Sequence, residues 1–165
     1  MRPGVETARR RTASERTDRD VDNGKQKVES ARVRLVEGMH FAGEVDGFGI
    51  DLDAEKSVGG QGRGTQPMRL LLLGIAGCTA MDVLSILRKK RQRVVGLEVE
   101  VRGERREEHP RTYKTAEIFY RVRGTDLDPK AVQRAIELSE TRYCPAIATV
   151  GESARITSRY TIEET

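Results

Sequence analysis

Apolar and polar positions alternate with a period of two from VESARVRLVEG through MHFAGEV to GFGIDLD, and breaks fall at Gly38 and at Asp46-Gly47. Period-two alternation bounded by turn residues predicts three short strands, and Asp-Gly is a favoured two-residue hairpin turn. These segments read as a meander. The pattern then dissolves into AEKSVGGQGRGTQ, a loop of glycine and polar residues. Beyond it the apolar positions are nearly continuous in PMRLLLLGIAGCTAMDVLSILRKKRQ, where Pro67 suits a first helical turn, so one long helix over 67–92 is predicted. With apolar residues almost all round, that helix is expected to be buried on every side, at the centre of a domain or a dimer.

Alternation resumes in VVGLEVEVRGERRE and RTYKTAEIFYRVRG, which predict a second hairpin over 93–106 and 111–124. Asp126-Leu-Asp-Pro then caps a second helix, DPKAVQRAIELSETRY, whose apolar side carries Ala131, Ala135, Ile136 and Leu138. Cys144 and Pro145 stand where that helix ends, and ARITSRYTIE supplies a last strand. The order βββ-α-ββ-α-β favours an α+β fold over a doubly wound sheet.

Composition sharpens this picture at the N-terminus. Residues 1–26 hold seven Arg or Lys, five Asp or Glu and little that can bury surface, so a disordered tail is expected, with one domain over 27–165. The tail has neither the apolar run of a signal peptide nor the acid-poor composition of a transit peptide, and a cytoplasmic location is expected. Of the 165 residues, 36% are apolar and 4% aromatic, which suffices for one lean core of Leu, Val, Ile and Ala.

The formal charge of +4 is mild, and in RGERREEHPR the signs alternate. That pattern describes a solvated strand edge rather than a phosphate-binding patch, so no nucleic-acid partner is expected. Leu70 to Leu87 has one charge, Asp82, and approaches the lower limit of a membrane span; Thr79, Ser85 and two glycines argue for a core helix instead. Gly60, Gly62 and Gly64 precede a helix without the Lys-Ser/Thr of a phosphate-binding loop, and a flexible cover over the helix start is expected. His40 and His109 make no ligand spacing with a cysteine, so neither a metal site nor a cofactor is expected.

The candidate residues for chemistry are Cys78 and Cys144, 66 residues apart. Cys78 sits mid-helix with Gly74 one turn before it and Gly77 adjacent, which lets another group approach the sulfur closely. Taken alone, two such cysteines are also ordinary small core residues, and both readings stand at this point.

The strings PMRLLLLGIAGCTAMDVLSILRKKRQ, LEVEVRGERREEHPRTYKTAEIFYRVRG and AVQRAIELSETRYCPAIATV resemble the OsmC/Ohr superfamily, in particular its less characterised OsmC-like branch. The similarity spans roughly 27–163, and its most specific features are Gly-Cys on the central helix and Tyr-Cys-Pro after the second. The resemblance implies antiparallel sheets wrapped around two central helices in an intertwined homodimer. It also implies a thiol peroxidase acting on organic hydroperoxides or hydrogen peroxide, with Cys78 peroxidatic, Cys144 resolving and a dithiol as reductant. The sequence departs from the family pattern at two places. Where the well-studied hydroperoxide reductases carry an Arg and a Glu beside the thiol, Met39 and Met68 stand here, with Arg69 and Arg63 as the nearest substitutes in sequence. That departure keeps open a second function, a dimer that binds a lipid-like ligand or senses redox state without turnover.

Overall fold

The computed structural model describes residues 28–165; the expected tail over 1–26 lies outside them. Strands β1 (Ala31–Glu37), β2 (His40–Val45) and β3 (Phe48–Leu52) form an antiparallel sheet in that order. The β2–β3 turn has Asp46 at φ 50° and Gly47 at φ 80°, the paired positive angles that a two-residue hairpin needs. The meander is as expected. Its three strands pack on one another and make no extensive contact with the helices.

The glycine loop is tied down rather than loose. The Asp53 carboxylate accepts the backbone N–H groups of Ala54, Gln61 and Arg63 at 2.8–3.0 Å, and those of Arg63 and Gln61 hold its pKa below the usual carboxylate range. Gly64 packs so closely on β3 that a Cβ there would fall 2.4 Å from the Asp51 carbonyl. Close backbone packing therefore accounts for glycine at this position.

Helix α1 (Pro67–Lys89) begins at the expected proline and ends before 92, where Arg91 turns left-handed at φ 57°. The expectation of burial on every side does not hold within one chain. Ile75, Thr79, Val83 and Leu87 form a buried stripe at four-residue spacing, while Leu73 and Met81 on other faces are 62% and 69% exposed. The reason is that the second sheet and the two following helices cover only one side of α1. By length and composition α1 is apolar enough to cross a membrane, with a mean hydropathy of 2.1 over its most apolar window, but its stripe is spent on protein packing.

Strands β4 (Arg93–Arg105), β5 (Tyr113–Thr125) and β6 (Arg155–Glu164) form the second sheet, with β5 central. The hairpin register pairs Val99 with Tyr120 and Val101 with Ile118. Alternate residues of β5, including Ala116, Ile118, Tyr120 and Val122, are buried beneath α1 and the helices that follow. Strand β6 runs parallel to β5, which corrects the expectation of purely antiparallel sheets. A return through helical segments, rather than a tight turn, brings the chain back in that direction.

The expected second helix, over 128–143, is two pieces, and a further helix follows it. Helix α2 (Pro129–Leu138) starts at Asp128, whose carboxylate caps the N–H of Lys130 at 2.9 Å. A single wide turn follows over Ser139–Tyr143, closed by the N–H of Cys144 donating to the Ser139 carbonyl at 2.9 Å. Pro145 forces Cys144 out of the helical region, to φ −77° and ψ 103°, and itself opens helix α3 (Pro145–Gly151). Cys144 is thus the N-cap of a helix that the sequence pattern did not separate.

Candidate functional site

Two elements bring the thiols together. Cys78 sits on α1 and is half-buried, while Cys144, at the α2–α3 junction, is 4% exposed. Asp82 is one turn after Cys78 on the same face of α1. The two sulfurs and a carboxylate oxygen of Asp82 all lie within 4.8 Å of one another. The structure therefore juxtaposes both predicted site residues and adds a third that the sequence reading treated only as a charge in an apolar run. Its signal was present: cysteine and carboxylate at i and i+4 of a helix.

The environments of the two sulfurs differ. Burial first, and the neighbouring Cys78 in addition, push the Cys144 thiol up to about 11, while the backbone N–H of Ile147, 3.5 Å from its sulfur, acts in the opposite direction. Cys144 is therefore held as a neutral thiol at physiological pH. Beside Cys78, a Cβ on Gly74 or Gly77 would meet nothing within 4 Å, so this part of α1 is open to an approaching group.

Beneath the thiols runs a chain of hydrogen-bonded side chains. Ser139 donates to Asp82 Oδ2 at 3.1 Å and shares a 2.9 Å hydrogen bond with Thr79. Thr79 meets the Tyr120 hydroxyl at 2.8 Å, and Tyr120 donates to Glu140 at 3.0 Å. Ser139, Thr79 and Tyr120 are fully buried, and burial raises the Tyr120 phenol well above its usual value. None of these partners was singled out from the sequence, because each bond joins residues distant along the chain or hidden in the wide turn.

The arginines stand elsewhere. Arg63 pairs with Glu37 of β1 at 2.6 Å, and Arg69 lines a cavity of about 560 Å³ with Met68, Leu72, Val99 and Tyr113. That cavity reaches Ala76, two residues short of Cys78, but neither sulfur lines it. Met39 packs near Gly59 of the loop, and His40 is bonded to Asp51 at 2.8 Å rather than to a thiol.

The family described as OsmC-like protein matches residues 60–159, a span that contains both cysteines and Asp82. Protein YhfA of Escherichia coli strain K12 is 40% identical over 133 residues, covering 80% of this chain and 96% of its own length. A hypothetical protein from Aquifex aeolicus superposes with a TM-score of 0.76 at 29% identity, over 85% of this chain and 99% of that one. An OsmC-like protein from Mycoplasma pneumoniae gives 0.72 at 20% identity, over 84% and 99%, a likeness of fold.

Proposed function

The chain belongs to the OsmC-like protein family, and on that premise we propose that it is a thiol-dependent peroxidase that reduces organic hydroperoxides or hydrogen peroxide through Cys78 and Cys144. The observation that carries this reading is the pairing of a half-exposed and a buried thiol from separate elements at one point. Exposure supports one assignment of the roles. Cys78 is the half-buried thiol that a substrate can meet, whereas burial of Cys144 raises its thiol and disfavours it as the first nucleophile.

In the proposed cycle the Cys78 thiolate attacks the O–O bond, giving sulfenic acid and, after protonation, an alcohol or water. Asp82 is the carboxylate placed to receive the thiol proton. Cys144 then attacks the oxidised sulfur, water leaves, and the disulfide is reopened by exchange with a dithiol, which restores both thiols. By the resemblance, Met39 and Met68 stand where the well-studied hydroperoxide reductases carry an Arg and a Glu, and in this reading activation of Cys78 falls to other groups. The working form in this reading is a homodimer in the cytoplasm, in which a second copy covers the exposed apolar faces of α1 and the first sheet.

The cavity beside α1 favours a second reading, in which an OsmC-fold dimer holds a lipid-like ligand against Leu72, Leu73 and Val99 without turning it over. One assay separates the two. Reduced protein supplied with cumene hydroperoxide and dithiothreitol is expected to consume the hydroperoxide catalytically; consumption no faster than with dithiothreitol alone leaves the binding function in its place.

A further inference from the structure

We propose that Cys78, Asp82 and Cys144 form a binding site for a thiophilic divalent cation, with zinc as the ion that the donor set fits. Two soft sulfurs and one carboxylate oxygen are zinc ligands, and all three lie within 4.8 Å of one another. A tetrahedral zinc ion, with Zn–S about 2.3 Å and Zn–O about 2.0 Å, needs its donors about 3.5–3.8 Å apart. The site must therefore contract by up to about 1.3 Å, which side-chain rotation can supply.

Four further observations point to a site that can hold an ion. Cys78 and Asp82 are fixed on a single face of one helix. One Asp82 oxygen is held by Ser139, which is in turn bonded to the buried Thr79, so the carboxylate is oriented by a second residue. The Cys144 sulfur already accepts the N–H of Ile147, a donor that supports negative charge on sulfur. Cys78 and Asp82 are only half-buried, so the ion can enter from their side. With three protein donors the fourth position falls to water or a small ligand, which describes an exchangeable site rather than a closed structural one.

Binding moves no electrons. Two S–H bonds break, two metal–sulfur bonds form and two protons pass to solvent. The ion uses the same two sulfurs as the proposed disulfide, so the two states exclude one another and a bound ion masks the thiols from peroxide. The site itself does not depend on turnover of any hydroperoxide.

Reduced full-length protein titrated anaerobically with cadmium, a spectroscopic stand-in for zinc, tests this through thiolate-to-metal charge-transfer absorption, with zinc as competitor. One ion per chain and two released protons are expected. Asp82→Asn is expected to weaken binding about 10–100-fold, and Asp82→Cys, which substitutes a third thiolate, to bind at least as tightly as the wild type. Equal affinity of wild type and Asp82→Asn, a loss of affinity in Asp82→Cys, or no charge-transfer band in the reduced wild type would each overturn the site. Peroxide-driven disulfide formation in a protein that binds no ion removes the metal site alone; ion binding without hydroperoxide consumption removes only the peroxidase.

Discussion

Ser139 donates a hydrogen bond to Asp82 across 3.1 Å and 57 positions of sequence, fastening the wide turn before Cys144 to the helix that carries Cys78. Thr79 of the same helix bonds Ser139 as well, at 2.9 Å, so two polar contacts tie this turn to α1 beside the sulfurs. Ser139→Ala leaves Thr79 and Asp82 short of a partner in a buried site, at an expected cost of about 1–3 kcal/mol. Urea denaturation checks the stability, and the same protein is expected to form its Cys78–Cys144 disulfide more slowly under stoichiometric peroxide.

The two cysteines are expected to fail differently. Cys78→Ser removes the attacking sulfur and should abolish peroxide consumption. Cys144→Ser should react once and then accumulate Cys78 as sulfenic and sulfinic acid, because nothing resolves it. Mass spectrometry after peroxide treatment reads both outcomes; wild-type protein that keeps two alkylatable thiols in excess hydroperoxide would refute the cycle.

Alkaline stability carries a signature of Cys144. Its thiol rises from an ordinary 9.0 to about 11 in the folded chain, so above pH 9 the unfolded chain loses this proton while the folded one keeps it. Stability is therefore greatest below pH 9 and falls as pH rises towards 11, by on the order of 2 kcal/mol from this group. Melting temperatures across that range should decline less steeply in Cys144→Ser; parallel curves for the two proteins would remove the assignment.

The open flank of α1 tests the homodimer. Leu73 and Met81 are exposed in the single chain, and Phe48 on the first sheet is 76% exposed. Surfaces of this kind mark association. Sedimentation is expected to give twice the 18.5 kDa of one chain, and Leu73→Lys with Met81→Lys to shift the protein to monomer. A wild-type monomer at micromolar concentration would count against the dimer.

Local patterning carried most of the element plan. Asp46-Gly47 fixed one hairpin, Pro67 the start of α1 and Asp128 the cap of α2, because turn chemistry and capping are settled by residues within a few positions of each other. Gly-Cys and Tyr-Cys-Pro marked the two thiols through the resemblance to the OsmC/Ohr superfamily rather than through local chemistry.

Three features were decided only by tertiary structure. The parallel course of β6 follows from how α2 and α3 return the chain along β5. The single buried stripe of α1 depends on how much of its surface the rest of the chain can cover, a matter of area rather than periodicity. Asp82 looked like an interruption of an apolar helix, and became part of a site once folding set it against Ser139 and Cys144. Sequence spacing can put Cys78 and Asp82 on one helix face, but a contact between residues some sixty positions apart exists only when the intervening chain has packed to close it.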